Sequence, residues 1–165
     1  VDLVRREFTF KRQPEGRNRE LSKEITDGES VSVHVRRGDY VSNPRHRETY
    51  AVCDPAYYQA CAHNVAARLK RPHFYCFSDD PAWAKDNLRL GYPMTVVDHN
   101  GPDQDYEDLR LMSLCKHHII ANSTFSWWGA WLNANPDKMV YAPQRWFNDA
   151  RADAYERIPE GWIRV

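Results

Sequence analysis

The sequence lacks a C-x-x-C pair, an 18-residue apolar run and any net charge, since 23 basic residues balance 23 acidic ones. Zero net charge gives no general attraction for nucleic acid, so any anion site must be local. Without a long apolar run there is no segment that could span a bilayer as a helix. The amino terminus shows neither a signal-peptide core nor a lipidation motif. We therefore expect a soluble intracellular protein with no nucleic-acid partner.

The sequence shows no spacing of cysteine or histidine that is typical of a metal site or a disulfide framework. The sequence contains four cysteines, Cys53, Cys61, Cys76 and Cys115. None is spaced with histidine as in a zinc site, so we expect reduced structural thiols. His117 and His118 are adjacent but lack an H-E-x-x-H pattern or carboxylate neighbours, and we expect no metal there.

The 165 residues suit one domain. Residues 1–30 are polar, and 11–20 show no hydrophobic period, so we interpret them as a surface segment or linker. The main domain is expected over 31–150. Residues 151–165 are interpreted as a carboxy-terminal tail.

Within the main domain, apolar strands alternate with helical patterns. Strands are predicted at 31–35, 73–77, 94–97, 117–121 and 138–141, and helices at 54–70, 78–85, 105–115 and 122–133. Asp54 and Asp80 each precede a proline, which is typical of a helix start. This alternation predicts an α/β, Rossmann-like fold, a parallel sheet with helices on both faces. No G-x-G-x-x-G appears, so the usual dinucleotide fingerprint is absent.

The most unusual stretch is V31-S-V-H-V-R-R-G-D-Y40. Arg36 and Arg37 follow a buried strand at the end where open α/β sheets bind ligands. Strand alternation places His34 and Arg36 on one side and Arg37 on the other. A guanidinium pairs two phosphate oxygens at once, so Arg36 is predicted to hold a phosphate while Arg37 pairs with Asp39 or another carboxylate. A surface ion-pair cluster is the alternative.

Small polar residues form a second candidate site where the fourth strand turns into a helix. They are Asn122, Ser123, Thr124 and Ser126. Hydroxyl and N–H groups at a helix start bind anions. The alternative is ordinary helix capping by Ser123 or Thr124.

Carboxylates form the third group, Asp79, Asp80, Asp98 and Asp108. A carboxylate suits guanine, whose N1–H and N2–H₂ donors lie side by side. Asp80 as a helix cap, Asp98 as a turn residue and Asp108 on a solvated helix face are the structural alternatives.

Four stretches together, V33-H-V-R-R-G-D-Y40, F74-Y-C-F-S-D-D-P81, E107-D-L-R-L-M-S-L-C115 and I120-A-N-S-T-F-S-W-W-G-A-W-L-N133, resemble the donor-binding half of bacterial α-1,2-fucosyltransferases. The resemblance spans about residues 31–147. The H-x-R-R-x-D element is shared with other GDP-fucose-dependent transferases. The N-S-T-F-S-W-W-G-A-W-L run is what indicates the α-1,2 group.

This resemblance implies a GT-B type enzyme that uses GDP-L-fucose with inversion and needs no metal or other cofactor. Arg36 would bind the β-phosphate, and His34 would lie near the nucleotide. The resemblance places Asp79, Asp80 and Asp108 near the nucleoside, and the 122–126 turn near the phosphates. Asp39 would act as general base or orient an arginine. The acceptor would be a glycan ending in galactose.

The family's further amino-terminal domain is not represented in this chain, so we interpret the chain as the donor-binding part. Two alternatives stay open, a nucleotide-binding module without catalysis and a lectin-like domain that uses its tryptophans. A fucosyltransferase of another linkage also stays open. The expected location is the bacterial cytoplasm, with peripheral association at the inner membrane left open.

Overall fold

The fold is organised around a six-stranded parallel sheet. A computed structural model describes residues 2–149, 152 and 157–165. The strands are β1 (Glu29–Val35), β2 (Pro72–Ser78), β3 (Met94–Val97), β4 (His117–Ile119), β5 (Val140–Ala142) and β6 (Ile163–Arg164). Their spatial order is β3-β2-β1-β4-β5-β6, and every pair is parallel. The predicted α/β, Rossmann-like class is confirmed.

Eight helices occur in the described part of the chain. They are α1 (Asp2–Glu7), α2 (Gly16–Asp27), α3 (Gly38–Ser42), α4 (Pro44–Thr49), α5 (Pro55–Ala66), α6 (Pro81–Asn87), α7 (Asp105–Leu114) and α8 (Thr124–Leu132), with a 3₁₀ turn at Pro102–Gln104. The predicted helix starts are correct, because Asp54 accepts from the Tyr57 N–H at 2.8 Å and Asp80 from the Trp83 N–H at 3.0 Å. None of the helices in the described ranges is long and apolar enough to cross a membrane.

Alternation along β1 divides the core between the two faces of the sheet. Val31 and Val33 pack with Tyr58 of α5 and Ala84 of α6. On the opposite face, apolar residues of α2 and α7 pack together with Phe77 of β2. The side chain of His34 belongs to this second face, where its ring lies 5.6 Å from that of Phe125. Helices therefore cover both faces, as the alternating pattern predicts.

The two terminal segments differ from the sequence interpretation. The leader expected at 1–30 contains α1 and α2, and Leu21 and Ile25 of α2 are buried against the sheet. Two apolar residues one turn apart suffice for this packing because the sheet supplies the rest of the apolar surface. In the expected tail, Ile163 and Arg164 pair with β5 as the edge strand β6. Residues 151 and 153–156 of that tail lie outside the described residues.

The chain reverses its order of strand addition between β1 and β4, which lie side by side. Such a reversal opens a crevice at the carboxyl ends of the two strands, and ligands of doubly wound sheets bind there. Arg36 follows β1, and the 122–126 turn follows β4. The sheet thus brings the two separate sequence candidates to one edge.

Candidate active site

Arg36 lies at the centre of this edge and is held by two carboxylates. Its Nη2 lies 2.5 Å from Asp39 Oδ1, and its Nη1 lies 3.1 Å from Asp79 Oδ2. The guanidinium also lies over the Tyr40 ring, with Cζ 5.2 Å from the ring centre. The side chain is 32% exposed. A guanidinium has five N–H donors, so two ion pairs orient it and leave donors for a ligand.

Arg37 turns to the opposite face, as strand alternation predicts. Its Cζ lies 3.8 Å from the centre of the Trp83 ring, and its Nε lies 4.0 Å from Asp80 Oδ2. The expectation that Arg37 pairs with Asp39 or another carboxylate is met by Asp80, because Asp39 pairs with Arg36. Asp80 also caps α6, so its cap and its ion pair with Arg37 both hold the local structure together.

Gly38 explains why a glycine follows the two arginines. A Cβ atom built on Gly38 would lie 2.5 Å from Asp79 Oδ2. The same carboxylate accepts from the Arg37 backbone N–H at 2.9 Å through Oδ1. The missing side chain therefore lets Asp79 approach the start of α3 and reach Arg36.

A small cavity of about 130 Å³, here called the inner cavity, opens on one side of Arg36. Its lining consists of His34, Arg36, Phe77, Ser78, Asp79, Asp105, Asp108 and Phe125. Burial, together with the charge of Arg36, lowers the pKa of His34 to about 3, so its imidazole is neutral at pH 7. Its Nδ1 is buried and has no hydrogen-bond partner among the described residues. His34 thus brings a neutral imidazole to the lining of the cavity.

Asp108 adds a carboxyl with altered acidity to the inner cavity. Burial raises its pKa to about 6, and the amide of Asn100, which donates to Oδ1 at 2.7 Å, opposes the rise. Above that pH the group is a carboxylate with acceptor capacity left over. Asp108 therefore lies at the site and not on a solvated helix face. Asp98 lies apart, in an ion pair with Lys85.

A second cavity of about 340 Å³, here called the aromatic cavity, opens on the other side of Arg36. It is lined by Arg36, Tyr40, Tyr50, Ser123, Thr124, Phe125, Trp146, Phe147 and Arg157. The rings of Tyr40 and Tyr50 stack at 4.4 Å between centres, and that of Phe147 lies 5.4 Å from Tyr50. Arg36 and Phe125 line both cavities. One guanidinium thus stands between a polar and an aromatic compartment.

The turn after β4 contributes fewer side chains to the site than its composition indicates. Ser123 caps α8 by accepting from the Phe125 N–H at 3.3 Å and still lines the aromatic cavity, as does Thr124. Asn122 is fully buried, and its amide donates to the carbonyls of Ala51 and Trp146 at 2.6 and 2.8 Å. Ser126 is also fully buried and donates to the Ser123 carbonyl. Neither Asn122 nor Ser126 lines a cavity described here.

No group of three or more metal-ligating side chains is found in the ranges that the structure describes. His118 is buried, with Nδ1 2.8 Å from Ser32 Oγ, and His117 Nδ1 accepts from the Met139 N–H at 3.1 Å. All four cysteines are buried and free. Burial raises the pKa of Cys53 to about 11, so this thiol is protonated at neutral pH.

Several site residues have no signal in the sequence analysis. They are Tyr50, Asp105, Trp146, Phe147 and Arg157. Tyr50 and Phe147 meet through an isolated antiparallel bridge between distant loops, which no local pattern reports. Asp105 could have been found, because it lies two positions before the selected stretch 107–115, and Phe125 lies within the selected stretch 120–133.

The chain matches the family described as glycosyl transferase family 11 over residues 2–165. It is 40% identical to an alpha-1,2-colitosyltransferase of Escherichia coli over 89% of this chain and 51% of that protein. It is 38% identical to the O-antigen biosynthesis glycosyltransferase WbnK of Escherichia coli over 82% of this chain and 44% of that protein.

A more distant relative is the galactoside alpha-(1,2)-fucosyltransferase 1 of Rattus norvegicus, 35% identical over 62% of this chain and 27% of that protein. The chain spans about half the length of the bacterial relatives it matches. The family match covers nearly the whole chain, and the resemblance read from the motifs is confirmed. This chain belongs to glycosyl transferase family 11.

Proposed function

We propose that this chain is the donor-binding domain of a GT-B type α-1,2-fucosyltransferase. The enzyme would transfer L-fucose from GDP-β-L-fucose, with inversion, to the 2-hydroxyl of a galactose-type residue in a bacterial glycan. The observation that supports this most is the position of Arg36, at the carboxyl edge of β1 and between two cavities of different chemistry. A nucleotide sugar has this division, with a diphosphate between a base and a sugar.

In this proposal the diphosphate lies against Arg36 and the start of α8. Oxygen atoms of the β-phosphate would accept from the guanidinium donors that Asp39 and Asp79 leave free. The hydroxyls of Ser123 and Thr124 and the first N–H groups of α8 lie on the same side, where the helix dipole favours negative charge. Negative charge grows on the diphosphate as the sugar departs, so donors fixed beforehand lower the barrier.

The edge of the guanine base would enter the inner cavity. Asp105 and Asp108 supply carboxylates that match the paired N–H donors of guanine, and His34 supplies a neutral imidazole. Adenine has an acceptor where guanine has its N1–H, so these carboxylates would repel it. The site should therefore prefer GDP to ADP.

The fucose would occupy the aromatic cavity. The rings of Tyr40, Tyr50 and Phe147 contribute an apolar wall for the methyl group of a 6-deoxy sugar. The Tyr40 hydroxyl donates to the Asn122 carbonyl at 3.1 Å and is therefore already satisfied. A sugar with a 6-hydroxyl would bury that group against rings without a partner, at a cost of about 1 to 3 kcal/mol.

Arg36 and the donors at α8 would neutralise the leaving group, so the proposed reaction needs no divalent ion. The lectin-like alternative gains little support, because Trp127, Trp128 and Trp131 pack against one another, against Phe8 and against Trp162. None of these three lines the two cavities.

The proposed location is the cytoplasm, with the acceptor bound largely by the remainder of the enzyme.

The test is a transfer assay with the longest natural form of the protein. GDP-fucose and a β-galactoside acceptor should yield a product whose linkage, determined by NMR, is α-1,2. The similarity to an alpha-1,2-colitosyltransferase makes a colitose donor the appropriate competitor. Transfer to another hydroxyl would overturn the linkage. Binding of GDP without transfer from either donor would favour the non-catalytic module.

A further inference from the structure

We propose that His46 is the general base that takes the proton of the acceptor hydroxyl, and this inference rests on the proposed transfer reaction. His46 lies in α4, outside every motif of the sequence analysis. Its Nδ1 lies 2.8 Å from Asp39 Oδ2. A carboxylate at that distance accepts a hydrogen bond from the Nδ1–H group. This bond fixes the tautomer in which Nε2 has a free lone pair. Nε2 has no hydrogen-bond partner among the residues that the structure describes.

Asp39 connects this histidine to the phosphate-binding arginine. Its Oδ1 accepts from Arg36 Nη2 at 2.5 Å, while its Oδ2 accepts from His46. Both oxygens are therefore engaged, which leaves Asp39 poorly suited to take a proton from a substrate. The carboxylate is better placed to orient two groups at once, the arginine at the leaving diphosphate and the imidazole. In this arrangement Asp39 is a positioning residue.

His46 lies beside the aromatic cavity. Its ring meets that of Tyr50 edge to face, with 5.8 Å between centres, and Tyr50 lines the cavity together with Arg36. The histidine side chain is 38% exposed, so a hydroxyl that approaches from solvent can reach it. If the donor sugar fills the aromatic cavity, His46 lies at the rim where an acceptor would enter.

Other acid-base groups of the site are less suited to this role. Asp79 accepts from Arg36 through one oxygen and from the Arg37 N–H through the other. His34 is 96% buried, since only 4% of its surface is exposed. Asp105 and Asp108 line the inner cavity, on the nucleoside side of Arg36. His46 is the group on the sugar side that keeps a free basic atom.

The step balances without a further reactant. The acceptor O–H bond breaks as its proton passes to His46 Nε2, and the oxygen uses that electron pair to bond the anomeric carbon of fucose. The bond from this carbon to the β-phosphate oxygen breaks, and its electron pair leaves with GDP. Arg36 stabilises the charge on GDP, and Asp39 stabilises the imidazolium. Attack on the face opposite the diphosphate inverts the centre.

His46→Ala in the longest natural form of the protein tests this role. We expect kcat for fucosyl transfer to fall by about 100- to 1,000-fold, in the range for loss of a general base. The dissociation constant of GDP-fucose should stay within about twofold, because His46 does not contact the diphosphate. Added imidazole should raise the rate of the variant at least tenfold, because it can fill the position that the side chain vacates. The matched control is His63→Ala, at an exposed histidine of α5, which should keep the wild-type rate.

Two results would overturn the assignment. One is a His46→Ala enzyme whose kcat lies within threefold of wild type. The other is a loss of rate that imidazole does not reverse, which would indicate a structural role. Either result leaves the proposed function intact as long as the wild-type enzyme transfers fucose. A wild-type enzyme that binds GDP-fucose and transfers nothing would refute the proposed function itself.

Discussion

The carboxylate of Asp79, at the end of β2, lies 3.1 Å from Arg36 at the end of β1. The two residues are 43 positions apart, and the parallel pairing of Val35 with Ser78 brings them together. Asp79 also accepts from the Arg37 backbone N–H, so it fixes both the guanidinium and the chain that presents it. A cation fixed in this way needs little rearrangement when negative charge develops beside it.

Gly38→Ala should weaken GDP binding while leaving the fold intact. The new Cβ would lie 2.5 Å from Asp79 Oδ2, so the carboxylate must move and release one side of Arg36. We expect a loss of about tenfold in affinity, equivalent to about 1.4 kcal/mol, by titration calorimetry. Gly101→Ala is the control, since no atom lies within 4 Å of its added Cβ. Unchanged GDP affinity in the Gly38 variant would show that Asp79 does not position Arg36.

Gly129→Ala should destabilise the protein without a direct effect on the site. Helices α7 and α8 touch at this point, and the added Cβ would lie 2.5 Å from Met112 Sδ and 2.9 Å from its Cγ. Overpacking of this kind costs about 1 to 3 kcal/mol of unfolding free energy. Urea unfolding of the variant measures it, with Gly101→Ala expected to change stability little. A Gly129 variant as stable as wild type would mean that the Met112 side chain moves aside at little cost.

Asp108→Asn should raise stability at neutral pH and not in acid. The folded-state pKa of Asp108 is raised from 3.8 to about 6, so the folded protein holds a proton that the unfolded chain releases. Stability from this group is thus full below about pH 4 and is lost as the pH rises through 6. The variant should gain roughly 1 to 2 kcal/mol over wild type at pH 7.5, less than the full shift because the carboxyl is partly solvated.

Urea unfolding at pH 4 and at pH 7.5 measures this difference. Asp103→Asn, at an exposed position near the same helix, is the control and should show no such pH dependence. An Asp108 variant with the same gain at both pH values would contradict the raised pKa of Asp108. In the same variant, GDP should lose part of its advantage over ADP, because the carboxylate that would face guanine is gone.

Chelation should leave catalysis unchanged. In our proposal Arg36 and the α8 donors stabilise the departing diphosphate, and a divalent ion is not required. The initial rate of fucosyl transfer in excess EDTA should equal that in Mg²⁺ or Mn²⁺ within about twofold. A rate that collapses in EDTA and returns with Mn²⁺ would contradict this part of the mechanism.

Local sequence patterns predicted five of the six strands but not the edge strand β6 or all the helices that pack on the sheet. The strand at 94–97 coincides with β3, and the Asp-Pro pairs mark the starts of α5 and α6, because these signals depend on near neighbours. Helix α2 was not predicted, since its two buried apolar residues gain their stability from the sheet. In α7 the predicted helix is correct, and its apolar residues divide between solvent and core, because Tyr106 is 52% exposed while Leu111 and Met112 are buried.

In the site, too, some features follow from near neighbours in the sequence and others depend on the tertiary fold. The placement of Arg36 and His34 on one side follows from strand alternation, which is a local rule. The ion pair of Arg36 with Asp39, and the wall formed by Tyr50 and Phe147, depend on how loops return to the sheet edge. Asn122 has the composition of a ligand-binding residue, yet its amide holds two loop carbonyls together. Residue type alone does not distinguish these two uses.

The most direct test of the central claim is a calorimetric titration of the protein and its Arg36→Ala variant in EDTA. The ligands are GDP-fucose, GDP, GMP and ADP. We predict binding of GDP-fucose and GDP, with GMP and ADP weaker, because in our proposal the site binds both the β-phosphate and the base. In Arg36→Ala the affinity for GDP should fall on the order of 2 to 4 kcal/mol, as when one partner of a buried charge pair is removed. Near-normal GDP binding by the variant would contradict the claim that Arg36 is the phosphate ligand.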